Sequence, residues 1–321
     1  MHLGTGLVCG TKIKDMIDAG FEFIIFLADW HSWINNKLGG DMASIRIAGE
    51  YFKEGFTAVG IPPDRVKYVW ASEIVRDSTY WEKLVKIALN TSVNRMKRSL
   101  TIAGRGKTSD EMKTALLFYP CMQAADIFQM ELDVACSGID QRKVHMLARE
   151  VAGDLNVKKP VCVHTPLLMG LEPPAETPGG VYDEDQGFNL RISAKMSKSK
   201  VEKCIFIHDT AAEVEKKISD AYCPPKDANA NPIIDIVEYI IFPTRGTFQL
   251  KRPAKFGGDL AFSTVSELKE AYSKGLIHPL DLKKSTAEML NEILEEARRH
   301  FQTNQRAREL LRKVRELEIT R

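Results

Sequence analysis

Two lysines and two serines are concentrated in one five-residue stretch, Lys195 to Ser199, with the sequence KMSKS. No carboxylate lies within it, so the stretch combines local positive charge with hydroxyl donors. These groups suit a mobile loop that closes over a polyphosphate and stabilises the charge that develops on it during reaction. A solvated basic loop that binds nothing is the simpler alternative, because runs of charge are usually solvated.

The start of the chain could supply the other half of a phosphate site. His2, Leu3, Gly4 and Thr5 precede apolar residues at helical spacing, and Gly20 is placed as a C-cap, so we expect a helix to begin here. The free N–H groups and the dipole at a helix N-terminus favour phosphate, and Gly4 lets a nucleotide approach the backbone closely. His2 would add another donor.

A polar stripe lies on a helix predicted near the middle of the chain. Tyr119, Gln123 and Asp126 share one helix face by their i, i+4 and i+7 spacing within an otherwise apolar segment. Buried polar groups need partners. They either satisfy one another structurally or surround a polar ligand, and the two phosphate-binding candidates favour the ligand.

Two buried strands are followed by polar residues at their carboxyl ends, where ligands bind in open α/β sheets. Residues 132–136 lead into a turn in which Asp140 could accept hydrogen bonds from a ribose and Gln141 could face a substrate amine. Residues 21–27 lead to His31, which either lines this pocket or is a satisfied structural histidine.

Composition indicates an ordinary globular protein. The 321 residues are 44% apolar and 27% charged, and 45 Lys and Arg against 43 acidic residues give no whole-chain argument for nucleic acid. Six scattered cysteines without a CxxC pair argue against a zinc site and a disulfide framework. No apolar run approaches a membrane span and no signal peptide is recognisable, so we expect a cytoplasmic protein.

Alternation of strands and helices predicts an α/β domain over residues 1–222, followed by a mostly α-helical domain over residues 223–321. We expect a loop at 171–189, a helix from Asp209 as N-cap to Tyr222, and C-terminal helices at 232–241, 264–273 and 285 to about 317. One basic patch could hold a nucleic-acid backbone or be a solvated helix face; it comprises Arg95, Lys97, Arg98, Arg105 and Lys107.

Six segments together resemble one family, the archaeal and eukaryotic type of tyrosyl-tRNA synthetase. They are HLGT at residues 2–5, Tyr119-x3-Gln123-x2-Asp126, GIDQRK at 138–143, VHMLARE at 144–150, KMSKS, and KFGGD at 255–259. HLGT and KMSKS are similar to the HIGH and KMSKS signatures of class I synthetases, with Thr5 at the position of the second His. The resemblance implies a Rossmann-type catalytic domain, an α-helical anticodon-binding domain and a homodimer.

The resemblance also implies roles for single residues. The residues implied in catalysis are His2, Lys195 and Lys198. Asp126 would take the phenol hydroxyl of tyrosine, whereas the ammonium group would be held by Tyr119, Gln123 and Gln141. ATP would contact His2, Gly4, Gly138 and Asp140, and its phosphates would contact Lys195, Ser197, Lys198 and Ser199. The tRNA(Tyr) acceptor stem would lie near Arg98 and Arg142, and the anticodon near Phe256, His278 and Asp281.

The chemistry of such a site needs no general base. The tyrosine carboxylate attacks the α-phosphorus of ATP in line, so that alignment and neutralisation of pyrophosphate suffice, and the tyrosyl group then passes to the terminal ribose of tRNA. Mg²⁺ is expected to arrive with ATP, since we find no clustered carboxylates that would form a metal site in the protein.

The sequence leaves three alternatives open: a tryptophanyl-tRNA synthetase, a small-molecule nucleotidyltransferase, and a catalytically weakened or non-catalytic tRNA-binding paralogue. In the resembling family a strand and a Gly-containing turn precede the HLG motif. We therefore expect about 30 further residues ahead of Met1, the size of the βα unit involved, and weak activity of the chain without them.

Overall fold

The computed structural model describes residues 1–100, 113–174, 186–197 and 200–317. The longer helices are α1 (a π-helical turn Gly4–Val8 continuing as Cys9–Asp18), α2 (Asp29–Ile34), α3 (Met42–Ala58), α4 (Ala71–Ile74), α5 (Ser78–Leu89), α6 (Val93–Ser99), α7 (Ala115–Gln129), α8 (Arg142–Val151), α9 (Gln186–Ser193), α10 (Ala211–Ser219), α11 (Pro232–Ile236, continuing as π-helix Val237–Ile241), α12 (Phe242–Arg245), α13 (Val265–Ser273), α14 (Pro279–Thr303) and α15 (Gln305–Glu316). Short 3₁₀ turns lie at Lys37–Gly40, Pro63–Arg65, Ile139–Gln141, Val201–Lys203 and Ala254–Phe256.

Six strands form three pairs within the described residues. They are β1 (Phe23–Leu27), β2 (Val66–Trp70), β3 (Val134–Gly138), β4 (Val161–Thr165), β5 (Phe248–Leu250) and β6 (Leu260–Phe262). β1 pairs with β2 and β3 with β4 in parallel, each connected by helices, whereas β5 and β6 form an antiparallel hairpin. Parallel pairs require such helical crossovers, and the predicted α/β architecture is confirmed.

In the part of the chain that the structure describes, the apolar core has two parts. A smaller cluster lies between α5, α7 and α8 and includes Tyr80, Met122 and Leu147. The larger cluster runs from α1 through α10 and α11 to α14 and α15, so it crosses the predicted boundary at residues 222 and 223. That boundary stays a prediction.

Polar contacts reinforce the junction between α3 and the C-terminal helices. Glu54 contacts both His300, at 2.9 Å, and Arg306, at 3.3 Å, while Arg306 also pairs with Glu50 at 2.6 Å. The first turn of α3 is fixed separately by Asp41, whose side chain accepts a hydrogen bond from the Ser44 N–H at 2.8 Å.

Several predicted element boundaries differ from the structure. Asp209 does not cap α10; Thr210 does, through a capping box with Glu213, while Asp209 accepts hydrogen bonds from Lys217 and from the Phe206 N–H. The segment predicted as loop over 171–189 contains the start of α9 at Gln186.

The C-terminal part also departs from prediction. The expected helix from 285 to about 317 is two helices, because Asn304 ends α14 and caps α15 by accepting from the Ala307 N–H at 3.0 Å. α14 begins six residues earlier than expected, with Pro279 in its first turn. The β5–β6 hairpin was not predicted.

Candidate functional site

The turn after β3 presents Asp140 and Gln141 at the carboxyl end of a parallel strand, as predicted. Gly138 ends the strand, and a Cβ atom added there would lie 2.7 Å from Asp140 Oδ1. A side chain at position 138 would therefore push the Asp140 carboxyl group out of its position.

The first lysine of the KMSKS stretch reaches this turn. Lys195 Nζ donates to Asp140 Oδ2 at 2.8 Å. The neighbouring Met196 is buried, and its N–H donates to the Leu168 carbonyl at 2.7 Å, which fixes the base of the loop. Two groups expected to meet different parts of ATP are thus in contact with each other. Ser197 is exposed, and Lys198 and Ser199 lie outside the described residues.

The N-terminal motif lies at the start of α1, as predicted. The His2 ring turns back over the helix end, with Nδ1 accepting from the Gly4 N–H at 3.1 Å and Nε2 lying 3.5 Å from Thr5 Oγ1. A Cβ atom at Gly4 would lie 3.0 Å from the His2 ring. The ring can therefore occupy this position because residue 4 has no side chain.

The polar stripe on α7 is connected to the turn after β3. Gln123 Nε2 donates to Gln141 Oε1 at 3.0 Å. Because Gln141 follows Asp140, the contacts run without a break from the α7 stripe to Lys195. Burial and the nearby Asp126 raise the pKa of Tyr119 to about 12, so its phenol stays protonated at neutral pH.

Asp126 is buried at the far end of the stripe, with 2% of its surface exposed. Tyr80 donates its hydroxyl to Asp126 Oδ1 at 3.0 Å. Oδ2 lies 3.1 Å from His31 Nε2, but among the described residues no donor forms a well-aligned hydrogen bond with it. The second oxygen therefore has acceptor capacity for a ligand hydroxyl.

Tyr80 and His31 complete this end of the site. Burial and the Asp126 carboxyl raise the pKa of Tyr80, so its hydroxyl keeps the proton that it donates. The His31 ring packs edge-on against Tyr119, with ring centroids 4.9 Å apart. His31 thus lines the site, one of the two readings kept open. Tyr80 was missed, although its burial beside Leu84 and Ile87 on one face of α5 is a helical pattern that the sequence contains.

The residues expected near the acceptor stem lie on two neighbouring helices. Arg98 on α6 and Arg142 at the start of α8 are exposed. Arg95 of the same basic patch pairs instead with Glu150 on α8, with distances of 2.9 and 3.0 Å, and also donates to Ser99. Its charge therefore fastens α6 to α8. Arg105 and Lys107 lie outside the described residues.

The residues expected near the anticodon lie on two adjoining segments. Phe256 is exposed in the segment after β5, with Lys255 Nζ 4.9 Å from its ring centroid. His278 Nδ1 caps α14 by accepting from the Leu280 N–H at 3.2 Å, and Asp281 lies in the first turn of that helix. Arg252 joins the segments by donating to the carbonyls of Gly258 and Leu276 at 2.7 Å.

A histidine pair supports the turn that carries Asp140. His145 Nδ1 lies 3.1 Å from His164 Nε2, and His145 Nε2 lies 3.4 Å from Ser137 Oγ, so the pair joins α8, β3 and β4. Burial and the neighbouring His164 lower the pKa of His145 to about 4. Burial also lowers the pKa of His164.

The lowered pKa of His145 should make the folded protein less stable in mild acid. The unfolded chain binds a proton at His145 below about pH 6.5, whereas the folded chain does so only near pH 4, so folding is penalised as the pH falls through this window. Between pH 7 and pH 5 the free energy of unfolding should fall by about 2 kcal/mol more in the wild type than in His145→Gln. Urea unfolding at both pH values measures this; equal losses would contradict the prediction.

Neither a metal cluster nor a membrane-spanning helix is found in the described part of the chain. Within residues 1–100, 113–174, 186–197 and 200–317, no three His, Cys, Asp or Glu side chains stand together as a metal site. None of the helices described there has both the length and the apolar character needed to cross a membrane.

Comparison with known proteins identifies the family. The profile described as "tRNA synthetases class I (W and Y)" matches residues 1–176 and 189–295. The tyrosine–tRNA ligase of Thermococcus onnurineus is 45% identical over 100% of this chain and 88% of its own length.

Solved structures agree in both sequence and fold. The tyrosyl-tRNA synthetase of Pyrococcus horikoshii, complexed with L-tyrosine, matches with a TM-score of 0.89 and 43% identity over 97% of this chain and 87% of its own. A Leishmania major tyrosyl-tRNA synthetase in complex with tyrosinol matches with a TM-score of 0.86 and 30% identity over 100% of this chain and 54% of its own. With the site's geometry and these matches in agreement, the chain belongs to the class I tRNA synthetases of the tryptophan and tyrosine family, among the tyrosine–tRNA ligases of archaeal and eukaryotic type.

Proposed function

We propose that this chain activates tyrosine with ATP to form tyrosyl-adenylate and transfers the tyrosyl group to tRNA(Tyr). The observation that carries the choice of amino acid is the buried Asp126 carboxyl group, whose Oδ1 is occupied by Tyr80 and whose Oδ2 has acceptor capacity left. The phenol hydroxyl of tyrosine is a donor that fits this oxygen, and phenylalanine has no such donor.

The remaining contacts of tyrosine follow from the direction of the stripe. With its hydroxyl at Asp126, the amino acid would extend along α7 toward Gln123 and Gln141. Their side-chain oxygens and the Tyr119 hydroxyl are acceptors for the ammonium group. The tyrosine carboxylate would then face Asp140 and Lys195, on the side where ATP is expected.

ATP is proposed to bind between the start of α1 and the KMSKS loop. The phosphates would contact the His2 ring and the Gly4 N–H, which donates to His2 Nδ1 in this structure and would exchange that acceptor for a phosphate oxygen. Gly138 and Asp140 would contact the nucleoside. Lys195, Ser197, Lys198 and Ser199 would close over pyrophosphate. We propose that Mg²⁺ binds as part of the ATP complex, through phosphate oxygens and water.

The tRNA would contact two exposed surfaces. Arg98 and Arg142 stand on helices fastened together by the Arg95–Glu150 pair, so they could hold the acceptor stem in a fixed relation. Phe256 offers an exposed ring for stacking on an anticodon base, and His278 and Asp281 offer polar groups nearby. The cytoplasmic location stays a prediction.

Amino-acid-dependent exchange of pyrophosphate into ATP tests the activity. We expect exchange with tyrosine and little with tryptophan or phenylalanine, and charging of tRNA(Tyr) by the same sample. Exchange stimulated by tryptophan and not by tyrosine would contradict the proposal. Binding of tRNA without any exchange would point to a non-catalytic paralogue.

We further propose that the protein is a homodimer, with an apolar stripe on α5 in the interface. Trp81, Val85 and Leu89 are spaced four residues apart and are 39%, 52% and 80% exposed, on a different face of α5 from the buried Tyr80, Leu84 and Ile87. The stripe is extended by two further tryptophans: Trp81 packs against Trp30 and Trp30 against Trp33, with ring centroids about 6 Å apart in each pair. A contiguous exposed patch of this kind is typical of a protein interface, and a second copy would cover it with the same patch.

Charge in this stripe should separate the subunits. Leu89→Asp is expected to convert the dimer into a monomer, because a carboxylate would be buried opposite its own copy. Sedimentation velocity at micromolar protein measures this. Leu276→Asp, at a leucine 59% exposed outside the stripe, is the matched control and should remain dimeric. A wild type that is monomeric, or a Leu89→Asp dimer, would contradict the proposal.

A further inference from the structure

The base of the KMSKS loop lies on a short extended segment that we call the support segment, residues 168–171. Met169 forms an antiparallel bridge with Lys195. On either side of it, the Met196 N–H donates to the Leu168 carbonyl at 2.7 Å and the Gly170 N–H donates to the Ala194 carbonyl at 2.8 Å. The position of Lys195 is therefore set by the position of the support segment.

The support segment is itself held from its other side. In an extended chain successive backbone groups point in opposite directions, so the Met169 N–H points away from the loop. It donates to Asp235 Oδ2, on α11, at 3.2 Å. Met169 is buried, and without this acceptor its N–H would be a buried donor lacking a partner within the described structure.

Asp235 is placed for this contact by rigid surroundings. Asn231, fully buried, caps α11 by accepting from the N–H groups of Ile233 and Ile234 at 3.1 and 3.4 Å. One turn later Glu238 pairs with Lys269. Burial raises the pKa of Asp235 to about 6; the hydrogen bond from the Met169 N–H opposes this rise, as do Lys269 and Arg191, whereas Glu238 adds to it. Burying a carboxyl group costs free energy, so such groups are rare unless one of their oxygens accepts a hydrogen bond that the protein requires.

We propose that Asp235 is a positioning residue for adenylate formation, which holds Lys195 in place by anchoring the Met169 N–H. The proposal rests on the proposed function only for its kinetic consequence. The path runs from Asp235 Oδ2 to the Met169 N–H, through the Met169–Lys195 bridge, to Lys195 Nζ and Asp140. It links a helix of the predicted C-terminal domain to the loop that acts on pyrophosphate.

Three variants of the intact protein separate positioning from general stability. Asp235→Ala removes the acceptor, and Asp235→Asn keeps an acceptor oxygen without the charge. Glu238→Ala removes a neighbouring charge on the same helix. We expect Asp235→Ala to lower kcat for adenylate formation by roughly 10-fold to 10²-fold, as misplacing a catalytic group by about 1 Å does, with KM for tyrosine unchanged. Asp235→Asn and Glu238→Ala should stay within about threefold of the wild type.

A double-mutant cycle tests the path itself. If Asp235 acts through Lys195, then Asp235→Ala should slow single-turnover adenylate formation little further in a Lys195→Ala background. Two independent effects would multiply. Full additivity, a normal Asp235→Ala enzyme, or equal damage in Asp235→Asn would each overturn the proposal.

Hydrogen exchange decides the structural step without any activity. The amides of residues 168–171 and 194–196 should exchange faster in Asp235→Ala than in the wild type and in Asp235→Asn, while the rest of α11 keeps its protection. Unchanged protection would refute the anchoring role. The two proposals can fail separately. If the wild type binds no ATP and catalyses no pyrophosphate exchange, the proposed function is refuted. The anchoring role still stands if the variants show the expected differences in amide hydrogen exchange.

Discussion

Asp126→Ala is expected to weaken the preference for tyrosine over phenylalanine. The carboxyl group is buried beside Tyr80 and His31, and its Oδ2 is the acceptor proposed for the substrate hydroxyl. A hydrogen bond to a charged group is worth about 1.5–3 kcal/mol, so kcat/KM for tyrosine relative to phenylalanine should fall by roughly 10-fold to 10²-fold. Tyrosyl-tRNA synthetases are themselves the reference case for such a site, with a preference of about 10⁵, so that starting value is borrowed from the family.

Pyrophosphate exchange with each amino acid measures this preference. Tyr80→Phe is the matched control, because it removes the neighbouring hydroxyl and leaves the Asp126 carboxyl group in place. It should keep the preference for tyrosine, even if the protein becomes less stable. An Asp126→Ala enzyme that still rejects phenylalanine as the wild type does would show that another group recognises the hydroxyl.

The α7 stripe shows how far periodicity can lead. The i, i+4 and i+7 spacing of Tyr119, Gln123 and Asp126 predicted one face of one helix, and α7 places them there. Periodicity identifies a face but not the groups opposite it. Tyr80 comes to Asp126 from α5, which is distant in the sequence, so only tertiary packing reveals it. His31 was a candidate for the pocket, but its contact with Asp126 appears only in the fold.

The KMSKS stretch shows a similar division. Its charge and hydroxyl groups predicted a phosphate-binding loop, whereas the support that fixes the loop was not foreseen. The one sequence signal for this support is Met196, a single apolar residue within a charged run. It is buried beside Leu168 in the structure. The contact of Met169 with Asp235 depends on the docking of α11, for which no local pattern exists.

The C-terminal region was predicted least well, for reasons of length and capping. Strands of three residues, such as β5 and β6, are too short to show alternation of apolar and polar residues. Asn304 lies within a continuous helical pattern of charge and leucine, and its capping role appears only in its hydrogen bond to Ala307. Helical periodicity alone could not locate the break between α14 and α15.

Lys195→Ala is expected to slow adenylate formation on the order of 10²-fold or more, while tyrosine binds with nearly unchanged affinity. The lysine is proposed to act on the negative charge that develops on pyrophosphate in the transition state, and removal of one such electrostatic contact typically costs this much. Lys198 is expected to behave in the same way. Single-turnover adenylate formation and equilibrium binding of tyrosine measure the two quantities separately.

Lys200→Ala is the matched control for this loop, since Lys200 is exposed and pairs with Glu172 on the surface. It should form adenylate at close to the wild-type rate.

The hydrogen bond between Lys195 and Asp140 must break when ATP binds, because the lysine would then contact the phosphates and the carboxylate would contact the ribose. Asp140→Ala would free the lysine but remove a proposed ribose acceptor, so it should raise KM for ATP more than it lowers kcat. If Lys195→Ala instead abolished tyrosine binding, the lysine would hold the site together through Asp140 and would not act on the transition state.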